Sequence, residues 1–326
     1  MSETLEVPKA PVAGGRTHEK FERLLARAQQ HPPIVTAVAH PCDPVSLDSA
    51  VEAARLGLIE PILVGPAARI AEVAAAGKLD ITAFEVIDAE HSHDSAAKAV
   101  ALVRSGRAET LMKGSLHTDE LMGAVVARET GIRTARRISH CFIMDIPGHP
   151  TPLVVTDAAV NIIPTLEDKI HIVQNAIDMA LILREGDEPV RVAILSAMET
   201  VNPKVPSTLE AAALCKMADR GQIKGALIDG PLALDNAISP EAAAIKGIVS
   251  PVAGRANVLV APDLEAGNML AKCMSFLSGA DAAGIVLGAR VPIILTSRAD
   301  AKLTRLASCA VASLLGAARR ASADIV

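Results

Sequence analysis

Nine short runs rich in Val, Ile and Leu recur along the chain, separated by longer Ala-rich stretches of helical period. This alternation confines the fold more than any other feature. Apolar runs of this length suit strands buried on both faces, and the periodic stretches suit helices that cover them, which is the pattern of a parallel α/β sheet. The expected strands are 34–39, 61–65, 84–87, 109–113, 191–196, 225–229, 257–261, 284–288 and 292–296. After Ser46 and Asp48, the residues Val51, Ala54, Arg55 and Leu58 suit one amphipathic helix. Residues 166–183 carry a longer one, begun by Thr165 and Glu167. One stretch breaks the rhythm: SHCFIMDIPGHPTPLVVTDAAVN (139–161) reads as two strands about a Pro-Gly turn. An antiparallel hairpin is expected there, and the change of sheet style puts a domain boundary near residue 137.

At 326 residues the chain is long enough for two domains of about 150 residues each. With half its residues hydrophobic and 21% charged, it buries a large core. A formal net charge of -5 and the absence of any basic cluster argue against a nucleic-acid partner. With no Trp, no Tyr and four Phe, the chain also lacks the stacking platforms of single-strand binders. Five scattered cysteines without C-x-x-C, no signal-like start and no long apolar span indicate a cytoplasmic protein without a membrane partner. The first 17 residues, rich in Pro, Gly and Ala, are expected to form a loose arm.

Ligands of open α/β sheets sit beyond the carboxyl ends of strands, so polar residues there carry most weight. In PIILTSRADAKL (292–303) a strand runs into Ser297, Arg298 and Asp300. Asp300 caps the helix expected from about Ala301, leaving its first amides open, and Arg298 offers a planar fork for two phosphate oxygens. Taken alone, the same run also fits an ordinary cap beside a solvated arginine. In LMKGSLHTDEL (111–121) a strand ends at Lys113 and Gly114, and Ser115, His117 and Thr118 lead into a helix with Thr118 as cap and Leu121 as its first buried residue. A capped loop with an exposed lysine explains this stretch as well. Three further loops, 196–208, 229–237 and 261–270, each follow an expected strand and would line one rim. There Asn268 and Lys272 lie one helical turn apart, while Asp229 and Asp235 are weak evidence for a divalent metal, and none is expected.

The segments EPILVGP, LMKGSLHTDEL, FIMDIPGHPTPLVVTDAAVNIIPTLEDK, NPKVPST, DGPLALDNAIS, APDLEAGN and ADAAGIVLGARVPIILTSRAD, in this order, resemble the phosphate acetyltransferase and phosphate butyryltransferase family from about residue 34 to 320. The resemblance implies two doubly wound three-layer α/β domains of the isocitrate/isopropylmalate dehydrogenase type with a cleft between them. The first would be built from residues 1–137 and 286–326, the second from 138–285. It implies a homodimer that exchanges an acyl group between coenzyme A and inorganic phosphate, with the coenzyme A thioester as substrate and no cofactor. Ser297 and Arg298 match the family's catalytic Ser-Arg pair, and Asn268 matches the Asn of its P-D-L-x-A-G-N loop. Lys113, Gly114, Ser115, His117, Thr118 and Asp300 join Asn268 as expected substrate-binding residues. Ala299 and Thr304 replace the Gly and Asp of the acetyltransferase branch, so S-R-A-D looks more like the butyryltransferase branch. The cleft Arg expected after the H-T loop is not found among ELMGAVVARE. Phosphate is already partly dianionic near neutral pH, so direct attack on the thioester in a ternary complex is expected rather than an acyl-enzyme. The alternatives are a metal-dependent decarboxylating dehydrogenase and a non-catalytic acyl-CoA-binding relative.

Overall fold

The computed structural model describes residues 18–296 and 301–321. The expected arm and the stretch that holds Ser297, Arg298 and Asp300 lie outside the described residues.

In chain order the first elements are α1 (Glu19–Ala28), β1 (Ile34–Ala39), α2 (Pro44–Arg55), β2 (Ile59–Gly65), α3 (Ala67–Gly77), β3 (Glu85–Asp88), α4 (Ser92–Arg104), β4 (Thr110–Lys113) and α5 (Thr118–Val126). There follow β5 (Ser139–Asp145), β6 (Leu153–Thr156), α6 (Leu166–Leu183), β7 (Arg191–Leu195), α7 (Pro206–Asp219), β8 (Leu227–Leu232), α8 (Leu234–Ile238) and α9 (Pro240–Ile245). The last are β9 (Val258–Val260), α10 (Leu264–Leu277), β10 (Asp281–Leu287), β11 (Ile293–Ile294) and α11 (Lys302–Ala321). Each of the nine apolar runs holds a strand, and β5 with β6 forms the expected antiparallel hairpin.

All eleven strands join one mixed sheet in the order β3-β2-β1-β4-β11-β10-β5-β6-β9-β7-β8. The strands before residue 114 lie in one half with β11, which returns from the chain's end to pair parallel with β4. Antiparallel β10 and β5 bridge to the other half. The alternation suggests a parallel β10, but only five residues separate it from β11, too few for a crossover, so the pair is antiparallel.

One apolar cluster spans both halves of the sheet, with residues from α1, α2, α11, α6 and α7. Two separate clusters lie elsewhere: one built on α4 and α5 around Leu111, Val286 and Ile293, the other on α8 to α10 around Met144, Val155 and Leu259. Alternation along β5 shows why: Cys141 and Ile143 join the continuous cluster, while Phe142 and Met144 point to the opposite face. The break between these two clusters therefore falls over β10 and β5.

Local chemistry sets several boundaries differently from expectation. Asp43 accepts a hydrogen bond from Ser46 N and Pro44 occupies the first turn, so α2 starts before Ser46; it ends at Arg55, leaving Leu58 buried in the following turn. Thr165 caps α6 as expected, but its reciprocal partner is Asp168, not Glu167. Strand β8 continues to Leu232, so Asp229 lies within it.

Candidate active-site cleft

At the end of β4 the chain passes very close to the end of β1. Gly114 N donates to Ala39 O at 2.8 Å, and Ser115 N and Oγ both donate to His40 O, at 2.9 and 2.8 Å. A Cβ at Gly114 would fall under 3.0 Å from the carbonyl oxygens of Ala39 and His40, so only glycine permits this approach. Ser115 Oγ also accepts from Cys42 N at 3.3 Å. The Lys113 ammonium is buried and donates to Gly114 O at 3.2 Å. His40, at the same strand end, has its pKa lowered, mainly by burial, and its Nδ1 stands 3.0 Å from Ser95 Oγ.

The expected cap Thr118 is instead the first residue of α5. His117 occupies the cap, and its backbone N–H donates to Glu120 at 2.7 Å. Glu120 also accepts from Ser92 Oγ at 2.6 Å, the main cause of its lowered pKa. Leu121 is the buried anchor of this helix, as expected.

Two cavities open beside the break. The larger, about 860 Å³, is walled by Thr118 and Met122 of α5, by Arg133 to Ile138, by Val160 and Asn161, and by Asp168 and His171 of α6. Arg137 Nε donates to Asn161 Oδ1 at 2.7 Å and lies 3.4 Å from Asp168. Arg136 pairs with Asp178 at 2.5 Å, while Arg133 is exposed and has no ion-pair partner among the described residues. The smaller cavity, about 360 Å³, is lined by Phe142, Asn268, Lys272, Phe276, Ala301 and Thr304. Asn268 and Lys272 thus share a rim, and Asn268 Nδ2 donates to Ala158 O at 3.0 Å.

The structure therefore groups Lys113, Gly114 and Ser115 at one strand junction, puts Thr118 in the larger cavity and places Asn268 in the smaller. Asp229 binds its neighbour Gly230 N, whereas Asp235 pairs with Lys246, so the two share no ligand set. Three groups escaped the sequence reading: the 133–137 arginines, the Asp157 turn and His140. The D-A-A-V-N run directly after a strand was the available signal for the second.

His140 is 1% exposed, and its Nδ1 has no hydrogen-bond partner. Its ring meets Phe142 edge-on at 4.4 Å, next to Gly284, where a Cβ would stand 3.1 Å from Nε2. Burial lowers its pKa from 6.5 to about 4, against an opposing pull from Asp157. Above pH 6.5 both folded and unfolded chains carry it neutral; below that the unfolded chain gains a proton that the folded one refuses until about 4. Stability is thus expected to fall as pH drops through this window. The urea midpoint should shift less between pH 7 and 5 in His140→Gln than in the wild type; identical shifts would contradict this origin.

Burial raises the thiol pKa values of Cys42 to about 11 and of Cys141, Cys215 and Cys309 to about 12, so none of these is a ready nucleophile. The fold and the lining of the larger cavity define an α/β protein in which Arg133, Arg136 and Arg137 meet the carboxylates of Asp119, Glu167 and Asp168 around one opening. A family model described as Phosphate acetyl/butaryl transferase matches residues 89–313. The Rhizobium meliloti phosphate acetyltransferase is 65% identical over 93% of this chain and 95% of its own length. A phosphate butyryltransferase from Clostridium beijerinckii is 40% identical over 92% of this chain and 98% of its own. The crystal structure of a branched-chain phosphotransacylase from Enterococcus faecalis superimposes with a TM-score of 0.74 at 29% identity, covering 86% of this chain and 98% of that one. The chain belongs to the phosphate acetyl/butyryltransferase family.

Proposed function

We propose that the chain transfers an acyl group between coenzyme A and inorganic phosphate. The observation that carries this reading is the 65% identity to a phosphate acetyltransferase over 93% of the chain. Phosphate attacks the thioester carbonyl directly: a C–O bond forms, the C–S bond breaks, and the thiolate leaves and takes up a proton from water. Arg298 holds the phosphate and offsets the charge of the developing oxyanion, and Ser297 and Lys113 supply donors. Cys42, Cys141 and Cys309, with their raised pKa values, are poor candidates to carry an acyl group.

The large cavity is the proposed seat of the phosphates of coenzyme A, because Arg133 and Arg137 both line it and a guanidinium suits phosphate oxygens. The Asn268 cavity suits the acyl and phosphate end. Acetyl is the preferred acyl group, since the acetyltransferase relative is 65% identical and the butyryltransferase 40%. A metal-dependent dehydrogenase is not favoured, both relatives being acyltransferases. Release of free coenzyme A from acetyl-, propionyl- and butyryl-CoA, followed with and without phosphate, tests the reading. Phosphate-dependent release, fastest with acetyl-CoA, is expected; release that ignores phosphate would refute it.

The family likeness also supports a homodimer. Met269, Cys273, Phe276 and Leu277 form an exposed stripe on α10, with Phe276 85% and Leu277 83% accessible, and a second copy of the same helix would cover it. Among the described residues no helix is long and apolar enough to cross a membrane. The cytoplasm, where acyl-CoA and phosphate are both at hand, is the proposed compartment.

A further inference from the structure

Between the two cavities lies a single tight turn, residues 157–161, organised by one carboxylate. Asp157 is 3% exposed. Its Oδ1 accepts from Ala159 N at 2.9 Å and Val160 N at 3.0 Å; its Oδ2 accepts from Asn161 N at 3.1 Å and Asn161 Nδ2 at 2.5 Å. Four donors on one carboxylate make a charge-assisted set that fixes the turn. Asn161, itself buried, donates its second amide hydrogen to Ile138 O at 2.9 Å, which fixes its orientation and turns Oδ1 toward Arg137 Nε, 2.7 Å away. On the other side, Ala158 O accepts from Asn268 Nδ2 at 3.0 Å. Helix α10 approaches the turn closely enough for this because Gly267 carries no side chain; a Cβ there would fall under 3.0 Å from Asp157 O. One arm of the turn therefore aims an arginine into the large cavity, and the other holds an asparagine at the rim of the small one.

We propose that Asp157 is a positioning residue that sets both substrate walls at once, Arg137 through Asn161 and Asn268 through Ala158. The role rests on the acyltransferase reading above. Asp157→Asn is the informative change: it keeps the size, removes the charge, and turns an NH₂ group toward existing donors in either orientation. Both arms then loosen, and a displacement of about 1 Å in a positioning group can cost up to about a hundredfold in rate.

The test is a double-mutant cycle on the full chain, read as the KM for acetyl-CoA and, separately, as the dissociation constant for coenzyme A by calorimetry. Asp157→Asn is expected to raise both by about tenfold in the wild-type background but by less than about twofold in Arg137→Gln, because coupled groups are not additive. The thermal midpoint shows whether the variant is folded. If it is not, Asn161→Ala replaces it, with the same rise and the same non-additivity expected. An equal penalty in both backgrounds, or wild-type values in the single variant, would overturn the positioning role while leaving the activity intact. A wild type that neither binds nor turns over coenzyme A would overturn the functional reading and this role with it.

Discussion

Arg298→Ala should lower turnover by a factor of about 10² or more while leaving the thermal midpoint close to that of the wild type. The proposed role of this guanidinium is felt most when phosphate meets the carbonyl and negative charge accumulates on two sets of oxygens. Losing it weakens charge stabilisation in the transition state more than binding in the ground state, so kcat should drop further than the KM for phosphate rises. Lysine at this position should recover only part of the rate, since a point charge cannot hold two oxygens in one plane. Steady-state assays of both variants give the answer, and near-normal acyl phosphate formation by the alanine variant would count against the role.

Charging the α10 stripe should have the second large effect. Phe276→Asp combined with Leu277→Asp is expected to convert a dimer into a monomer of 33.8 kDa, because two carboxylates would face their symmetry mates in an isologous contact. Neither side chain is needed for the fold, both being more than four-fifths exposed in the single chain. Light scattering at micromolar concentration distinguishes the outcomes. A wild type already monomeric, or a doubly charged variant still of twice that mass, would exclude this helix as the contact.

Much of the fold was legible because it depends on local pattern. A strand buried on both faces is apolar along most of its length, and the runs at 34–39, 191–196 and 257–261 announce themselves in this way. The direction of β10 was hidden, since an apolar run looks the same whichever way it points; only the short link to β11 decides it. Boundaries failed where two capping residues competed, as at His117 and Thr118, or where Pro44 moved the first turn of α2 forward. Among the candidate residues, the junction made by Gly114 and Ser115 follows from their place after a strand, and the shared rim of Asn268 and Lys272 from helical spacing. The Asp157 hub was not: its partners Arg137 and Asn268 are brought together by the β5–β6 hairpin and by α10, over separations that no local period marks. The same holds for His140, whose pKa is lowered by burial against the pull of Asp157.

In the proposed route phosphate itself attacks the thioester, with no covalent enzyme intermediate. Incubating the wild-type chain with acetyl-CoA and isotopically labelled coenzyme A, in the rigorous absence of phosphate, tests this directly. No label is expected in the acetyl-CoA pool until phosphate is added; label appearing without phosphate would mean that the protein carries the acyl group, and would contradict direct attack.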